Sequence, residues 1–393
     1  MRTDKRCHPT CVSRSEGRGA ATPASDFARR LLAWHRSHGR RDLPWLRERD
    51  PYRVWLSEIM LQQTQVATVL PYFRRFIERF ADVRSLARAP VEDVMAAWSG
   101  LGYYARARNL HACARTVVEH HHGRFPDSSQ ALASLPGIGA STAAAIAAFC
   151  FDERAAVLDG NVKRVLARHW EIDGDPGAAA VSRRLWQRAQ LELPVTRQMA
   201  RYTQAIMDLG ATVCTRSQPS CDRCPVSASC LALRSGRTAE LPTVRARRER
   251  TVRHAHVLVA LAGRAVLLQR READGIWGGL MCLPEFGSKA ALVRRARALG
   301  ATAPLPLPPR RHLLTHLALT MEPYLALADC AARANVEGSL RWIPLGQIDQ
   351  AGLPAPHRAL LQEVRDHPRV EPSPPPLSRL RGRGAIGRAP AKV

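Results

Sequence analysis

Four cysteines lie within seventeen residues of this 393-residue chain, at the spacing Cys214-x6-Cys221-x2-Cys224-x5-Cys230. Residues 1–19 are polar and basic and lack the apolar segment of a secretion signal, so we expect a cytoplasmic protein with reduced thiols. Closely spaced thiolates bind zinc or an iron–sulfur cluster. Three short intervals favour one cluster held by one loop, whereas zinc sites more often pair two Cys-x2-Cys units. The spacing alone leaves both metals open.

A two-glycine turn, Gly137-Ile138-Gly139, precedes a run of small and apolar residues at 141–148 that predicts a helix. Glycines leave backbone N–H groups unobstructed, and a helix N-terminus directs further N–H groups outward. This arrangement suits a phosphate group. An ordinary tight turn between two helices fits the same residues equally well, so the surrounding features must decide.

The balance of charge indicates a polyanionic partner. The formal net charge is +25, and the basic residues are spread along the chain rather than confined to one tail. Nucleic acid is the simplest such partner, although a genome rich in arginine codons gives the same bias. The longest apolar run, Ala143 to Phe151, is too short to span a bilayer, so we expect no membrane association.

Two carboxylates stand in settings that suit acid–base chemistry. Glu58 lies among Trp55, Leu56, Ile59 and Met60 in a segment that reads as a helix. It faces solvent or is partly desolvated, and in the second case a raised pKa suits a general acid. Asp159 precedes a helix start and is therefore a candidate N-cap, but capping does not explain the polar cluster that follows it at residues 160–164.

The chain divides into two predicted domains. Residues 23–235 carry helical periodicity, starting with a helix whose buried side includes Trp34 and including an amphipathic helix from Pro71 to Phe80. Residues 236–250 read as a linker and residues 251–366 as a smaller α+β domain, in which His312 to Thr320 reads as one strand. Residues 1–22 and 367–393 read as disordered basic tails.

With these features identified, the chain resembles the adenine DNA glycosylases of the helix-hairpin-helix superfamily over residues 24–366. The resemblance is carried by the hairpin at 135–139, by the cysteine loop at 214–230, and by residues 56–65 (LSEIMLQQTQ), 100–109 (GLGYYARARN) and 158–165 (LDGNVKRV). The implied fold is a multidomain one: an all-α helix-hairpin-helix glycosylase domain with an iron–sulfur cluster loop, then a smaller α+β Nudix-like domain.

The resemblance implies base-excision repair. Adenine opposite 8-oxoguanine or guanine in double-stranded DNA would be removed, leaving an abasic site, by an enzyme with a [4Fe-4S] cluster on Cys214, Cys221, Cys224 and Cys230. A monomer suffices for this activity, and we expect one. Glu58 would protonate the flipped adenine at N7 and later activate water, and Asp159 would stabilise the oxocarbenium-like sugar. A neutral adenine needs an acid to leave, and the sugar needs a nearby negative charge.

Further site residues follow from the same match. Asn161, Tyr103 and Arg41 correspond to positions around the scissile nucleotide, and Gln62 and Gln63 to positions near the vacated space and the opposite base. The remaining residues expected to contact DNA are Gly137, Gly139, Ser141, Lys163, Thr315 and His316. Leu314 stands where the family's 8-oxoguanine loop carries a phenylalanine, so it lacks that stacking ring.

Three other functions remain as alternatives. A pyrimidine-lesion glycosylase with lyase activity would carry a lysine nucleophile where this chain has Ser141; monofunctional base removal is therefore expected. A non-catalytic iron–sulfur DNA-binding protein would have no use for both Glu58 and Asp159. A Nudix hydrolase of free nucleotides would carry an acidic metal-binding helix, but this chain has Lys289 and three arginines there.

Overall fold

The computed structural model describes residues 26–195, 197–243, 249–329 and 338–366. Contacts divide the chain into two compact units. The first comprises residues 1–94 and 105–247, and the second comprises Met95–Tyr104 with Arg248–Val393. The predicted tails at 1–22 and 367–393 lie outside the described residues, as does part of the predicted linker.

The first unit is helical. The α-helices in the described part of the chain up to residue 234 are α1 (Asp26–His38), α2 (Pro51–Leu61), α3 (Val66–Arg79), α4 (Val83–Arg88), α5 (Val91–Trp98), α6 (Ala105–His121), α7 (Ser129–Leu132), α8 (Ala140–Phe151), α9 (Gly160–His169), α10 (Ala179–Leu191), α11 (Met199–Asp208) and α12 (Leu231–Arg234). The last residues of α5 belong to the second unit. A π-helical turn, Leu209–Val213, joins α11 to the cysteine loop.

Local sequence explains the two helices at the centre of this unit. Helix α2 begins at Pro51, whose missing N–H costs nothing at a first helical position, and Asp50 caps it by accepting from the backbone N–H of Tyr52. Helix α8 is built mainly of alanines and buries seven consecutive residues, from Ala143 to Phe149. Small side chains allow its neighbours, α2, α7 and α11, to pack closely around it.

The second unit is a mixed sheet with two helices. Its strands are β1 (Thr251–Ala262), β2 (Ala265–Arg270), β3 (Met281–Cys282), β4 (Glu285–Phe286), β5 (Leu305–Pro306), β6 (Arg310–Leu313), β7 (Leu317–Leu327) and β8 (Leu340–Pro344), and its helices are α13 (Lys289–Ala298) and α14 (Ala355–Asp366). The main strand order is β3-β2-β1-β7-β5, with β8 beside β2 and β6 beside β7. Strands β1 and β7 pair in parallel from Thr251↔Leu317 to Leu261↔Leu327.

Helix α13 covers one part of this sheet. Leu292 and Ala296 of α13 pack against Leu258 and Ala260 of β1 and Leu267 of β2 in one buried apolar cluster. The other six strand pairings of the described residues are antiparallel: β1 with β2 and β4, β2 with β3 and β8, and β7 with β5 and β6. The architecture is therefore a helical domain followed by a mixed-sheet α+β domain, as the sequence predicts.

Three local predictions were wrong. Helix α3 begins at Val66, not at Pro71, because a proline in the second turn removes only one donor and the helix continues through it. His312 to Thr320 is not one strand: it turns back between β6 and β7, where Leu314 N–H donates to the Leu317 carbonyl at 2.8 Å. Trp34 is only half-buried and stacks on His38, while His35 faces the core.

None of the helices in the described ranges is long and apolar enough to cross a membrane.

Candidate active site

Glu58 lies in the middle of α2 and is half-buried. Its helix neighbours Trp55, Leu56, Ile59 and Met60 are all buried. Burial raises the pKa of the Glu58 carboxyl to about 8, and the negative charge of Asp159 adds to that rise. Of the two settings that the sequence left open, the structure shows the desolvated one, so Glu58 holds its proton at neutral pH.

Asp159 caps helix α9. Its Oδ1 accepts a hydrogen bond from the backbone N–H of Val162 at 2.8 Å. Burial raises the pKa of this carboxyl, whereas the hydrogen bonds from Val162 and Asn161 and the positive charge of Arg164 act to lower it. Asp159 is therefore the N-cap of α9. Its carboxyl group also lies near enough to Glu58 for the two charges to interact, and it has Val162, Asn161 and Arg164 as partners.

The two carboxyl groups thus occupy different environments. Glu58 has burial and a neighbouring negative charge acting on it, which favour its neutral form. Burial raises the pKa of Asp159 as well, but its hydrogen-bond donors and the nearby Arg164 guanidinium oppose that rise, and among the described residues no such groups act on Glu58. Two carboxyl groups with separated protonation behaviour can divide the roles of acid and electrostatic stabiliser between them.

Asn161 is held between α9 and the turn that leads to the cysteine loop. Its Nδ2 donates to Asp159 Oδ2 at 3.5 Å, and its Oδ1 accepts from Arg164 Nη2 at 2.8 Å. Arg164 also donates to the carbonyls of Gly210 at 2.6 Å and Cys214 at 2.7 Å. A continuous chain of hydrogen bonds therefore joins Asp159 to the backbone of the first cysteine.

A cavity of about 390 Å³ opens beside α2. Val54, one helical turn before Glu58, lines it, and the other lining groups include His35, Arg36, Arg40, Arg41, Arg49, Arg201, Gln204, Trp45 and Phe149. Behind the cavity the buried Asp208 accepts from Arg40 Nε at 2.8 Å and from Gln204 Nε2 at 2.6 Å. This arginine-lined cavity combines an apolar floor with several donors.

The remaining predicted residues near α2 and α9 make specific contacts within the protein. Ser141 Oγ accepts from the backbone N–H of Leu158 at 2.9 Å, just before Asp159. Lys163 Nζ donates to the Pro176 carbonyl at 3.2 Å. Gln62 Nε2 lies 3.5 Å from Thr142 Oγ1, and Gln63 is exposed with a positive φ of 58°.

The hairpin turn at residues 135–139 needs its first glycine. Gly137 has a φ of 74°, and a Cβ at this position would lie 2.6 Å from the Cβ of Asn109. Gly139 precedes α8, and a Cβ built there meets no atom within 4 Å. The exposed Gly139 therefore leaves room at the start of α8, where a helix N-terminus suits the predicted approach of a phosphate.

The four cysteines line one small cavity at the end of the first unit. All four are free, half-buried thiols. Burial raises the pKa of Cys224 to about 12, and the other three thiols add to that rise, so a metal must displace their protons to bind. Within the described ranges no group of His, Cys, Asp and Glu side chains is already arranged as a metal site.

The predicted 8-oxoguanine loop, Leu314–Thr315–His316, lies at the tip of the β6–β7 turn in the second unit. Thr315 and His316 are exposed, and Thr315 Oγ1 lies 3.3 Å from the hydroxyl of Tyr103, which belongs to the same unit. Arg250 Nε donates to the Leu314 carbonyl at 2.9 Å. The loop is therefore anchored at its base while its polar side chains stay accessible.

Helix α13 lacks the acidic residues of a nucleotide hydrolase. It presents Lys289, Arg294, Arg295 and Arg297 instead. The nearest acid upstream, Glu285, forms ion pairs with Arg253 and Arg271. No carboxylates are thus grouped on this helix to hold a divalent cation.

Arg36, Gln204 and Asp208 are not among the residues predicted from the sequence. Thr203, Gln204 and Asp208 are buried polar residues on α11, a helix otherwise buried through apolar side chains. Buried polar groups usually have hydrogen-bond partners. Polar residues at one face of an amphipathic helix were the available signal, but the pairing of Asp208 with Arg40, just after α1, could not be read from the sequence.

Two family models match this chain. Residues 56–190 match the HhH-GPD superfamily of base excision DNA repair proteins. Residues 256–363 match the NUDIX domain. The first match contains Glu58, the hairpin turn and Asp159, and the second contains the loop at Leu314–His316.

Relatives match over most of the chain. The adenine DNA glycosylase of Buchnera aphidicola subsp. Baizongia pistaciae is 31% identical over 86% of this chain and 97% of its own length. That of Rattus norvegicus is 33% identical over 87% of this chain and 78% of its own length. A thermostable thymine-DNA glycosylase of known structure has a TM-score of 0.48 and 26% identity, over 53% of this chain and 95% of that one.

Proposed function

The chain belongs to the adenine DNA glycosylase (MutY) family of base-excision repair enzymes, hydrolases of N-glycosyl bonds, and from this premise we propose which residues carry the reaction and on which substrate. The observation that carries the proposal is the pair Glu58 and Asp159: burial raises the pKa of both carboxyl groups, but only at Asp159 do hydrogen-bond donors and a guanidinium oppose that rise. Its DNA substrate is adenine mispaired with 8-oxoguanine or guanine.

In the first step Glu58 acts as the general acid. The adenine leaves the base stack, and the Glu58 carboxyl donates its proton to N7. The C1′–N9 bond breaks, its electron pair stays on the departing adenine, and positive charge develops on the sugar. The ionised Asp159 stabilises that charge in a site where burial strengthens the attraction.

In the second step Glu58 acts as the general base. Having lost its proton, the Glu58 carboxylate accepts one from a water molecule whose oxygen bonds to C1′, which completes the abasic site. Asn161 orients Asp159 through their hydrogen bond. We assign the arginine-lined cavity, which Val54 lines one helical turn before Glu58, as the space beside the flipped nucleotide, with Arg41 and Gln204 as polar partners.

The enzyme removes the base without cutting the strand. Strand cleavage needs an amine that forms a Schiff base with the sugar. Position 141 carries a serine whose hydroxyl binds the Leu158 N–H, and the nearby Lys163 amine is bound to the Pro176 carbonyl. Both contacts support monofunctional chemistry.

Other predicted residues serve DNA binding. Gln62 and Gln63 lie directly after the Glu58 helix and would fill the vacated space; Gly137, Gly139 and Ser141 present the start of α8 to a phosphate. Tyr103 would lie near the scissile nucleotide, and Thr315 and His316 would contact the strand opposite the adenine. A hydroxyl and an imidazole can distinguish 8-oxoguanine from guanine through its additional polar groups, although Leu314 provides no stacking ring.

A [4Fe-4S] cluster is the cofactor that the cysteine loop fits. Its four thiols converge on one cavity, and backbone N–H groups of Val226, Ala232 and Leu233 point toward two of the sulfurs. Such N–H donors to sulfur typically surround iron–sulfur clusters. When bound, the cluster would be held by Cys214, Cys221, Cys224 and Cys230 and would fix the loop.

We further propose a monomeric cytoplasmic enzyme acting at the chromosome. Residues 23–235 form the glycosylase domain, residues 236–250 the linker, and residues 251–366 the Nudix-like recognition domain.

A single-turnover assay tests the proposal. Duplexes carrying adenine opposite 8-oxoguanine, guanine or thymine would be incubated with excess enzyme, and half of each sample treated with alkali before electrophoresis. We expect strand breaks mainly after alkali, fastest opposite 8-oxoguanine and absent opposite thymine.

The matched variant is Glu58→Gln, which keeps the side-chain size but cannot donate a proton. Wild-type rates in Glu58→Gln would overturn the assigned mechanism. Breaks without alkali would instead show a lyase and make Lys163 the next residue to change.

A further inference from the structure

Arg168 is a buried cation beside the cysteine loop. It is 2% exposed, at the end of α9. Its guanidinium donates to the carbonyls of Thr215 at 2.6 Å, Arg216 at 2.9 Å and Leu241 at 2.8 Å. One side chain therefore fastens both the start of the cysteine loop and the chain that leaves it.

The same residue contacts the first and last cysteines. Arg168 Nη1 lies 3.4 Å from Cys214 Sγ, and the Arg168 carbonyl accepts from Cys230 Sγ at 3.6 Å. Arg164, one turn earlier on α9, contacts Cys214 through the backbone carbonyl of that residue. Arg168 is thus the arginine of α9 that reaches a cysteine sulfur.

The positive charge of Arg168 needs a negative partner. Buried charges are normally paired because removing a charge from water is costly. In the described ranges Arg168 forms no ion pair with a carboxylate; its donors meet three carbonyls and a sulfur. The negative groups at hand are the cysteine sulfurs, once a metal centre has displaced their protons.

We propose that Arg168 is a positioning residue of the metal centre, closing the cysteine loop onto α9 and supplying the buried positive charge that offsets four thiolates. The inference rests on the proposed [4Fe-4S] cofactor. A cation at the sulfur stabilises the more reduced, more negatively charged form of a cluster, and N–H donation to sulfur acts in the same direction. Arg168 therefore raises the reduction potential and slows loss of iron.

The test compares the wild type with Arg168→Met, Arg168→Lys and Arg223→Met. Arg223 is a matched control because it lies inside the cysteine loop but is exposed, so solvent screens its charge. Three quantities are measured on the full-length, DNA-free proteins: iron and sulfide per chain, the midpoint potential at an electrode, and the rate at which a chelator bleaches the cluster absorbance.

We expect Arg168→Met to shift the oxidised-to-reduced ratio at a fixed potential at least about tenfold toward oxidised, a fall of about 59 mV for one electron, and to bleach faster. Arg223→Met should change the oxidised-to-reduced ratio less than about threefold, because solvent screens an exposed charge. Arg168→Lys keeps the charge but not the planar fork; it should keep the potential and still lose iron faster. A folded Arg168→Met without iron would support closure of the loop.

Two results would overturn the inference. Arg168→Met with the potential and bleaching rate of the wild type would remove both roles, and Arg168→Lys with a wild-type bleaching rate would remove the role in closure even if Arg168→Met does not fold. A wild-type protein with zinc and no iron would instead refute the cofactor itself, and metal analysis shows this before any variant is made.

Discussion

Gly210 packs directly against Asn161: a Cβ built on Gly210 would lie 2.7 Å from the Asn161 Cβ and 3.0 Å from its carbonyl oxygen. Gly210 sits in the π-helical turn that leads into the cysteine loop, and its carbonyl accepts from Arg164, which also binds the Asn161 amide. Packing and the Arg164 hydrogen bonds therefore link the turn before the cysteine loop to Asn161.

Gly210→Ala should displace Asn161 and the Asp159 carboxylate bound to it. Displacements of about 1 Å can cost up to about 100-fold in rate, so we expect single-turnover excision of adenine to fall about 10- to 100-fold. The overpacked site should also lose about 1–3 kcal/mol of stability. Gly346→Ala, where the new Cβ meets no atom within 4 Å, is the control. Full activity in Gly210→Ala would show that Asn161 need not be held in place.

The protonation of Glu58 predicts a pH dependence. Its pKa is raised to about 8, so the acid form is lost above that pH, and single-turnover rates should fall up to about tenfold per pH unit there. Glu58→Gln should be about 100-fold slower or worse, without this alkaline limb. A wild-type rate that stays constant from pH 7 to pH 10, with the enzyme still folded, would exclude Glu58 as the acid.

The same pKa has a consequence for stability. The folded protein keeps the Glu58 proton up to about pH 8, whereas the unfolded chain loses it near its ordinary value, about 4.3. The folded state therefore loses stability as the pH rises through that window. Glu58→Gln has no such loss, so its Tm should exceed that of the wild type increasingly between pH 5 and pH 8. Parallel Tm curves would show that Glu58 is not desolvated.

Asp159 caps helix α9 and also supplies the proposed negative charge, and two substitutions separate these roles. Asn keeps an oxygen for the Val162 N–H, so Asp159→Asn should fold with an unchanged or higher Tm and still bind the mispaired duplex. Asp159→Ala should lose about 1 kcal/mol of stability. Both should lose at least about 100-fold in excision rate, because neither carries the negative charge. Activity restored by Asn would mean that the cap alone matters.

Ser141 can be tested for both of its assigned consequences. Ser141→Ala leaves the Leu158 N–H without its acceptor, which should cost about 1–3 kcal/mol in thermal unfolding, with strand breaks still requiring alkali. Ser141→Lys places an amine at the same position and should produce some breaks without alkali, trapped as a covalent complex by borohydride. Alkali-independent breaks in the wild type at the level of Ser141→Lys would contradict the monofunctional assignment.

The sequence predicted the parts of the site that depend on residue type and short spacing. The Asp159 cap, the Glu58 helix and the four-cysteine loop are local features, and the structure has the corresponding helices and groups the thiols around one cavity. The sequence indicated Asn109 only as part of the segment 100–109, with no contact predicted for its side chain. Its role beneath Gly137 depends on a contact between segments far apart in the chain.

The parts that the sequence did not predict depend on tertiary packing. Gln204 and Arg40 meet at Asp208 across 168 residues, and Arg168 reaches carbonyls 47 to 73 residues away. Basic residues are so frequent in this chain that periodicity could not separate these arginines from solvated ones. The turn at Leu314–His316 also escaped prediction from periodicity, because it contains neither glycine nor proline.

The two glycines of the hairpin turn should respond differently to alanine. Gly137→Ala would force a residue with a side chain into a positive φ and against Asn109, so we expect a loss of at least about 1–2 kcal/mol and weaker binding to DNA. Gly139→Ala meets no protein atom, so its Tm should stay at the wild-type value. If a phosphate approaches this turn, the new methyl group lies in its path, and Gly139→Ala should bind duplex about tenfold more weakly at fixed salt. Gly139→Ala with wild-type affinity for duplex would mean that the turn serves only to connect two helices. Gly137→Ala with unchanged stability and unchanged DNA binding would show that a glycine is not required at this positive φ.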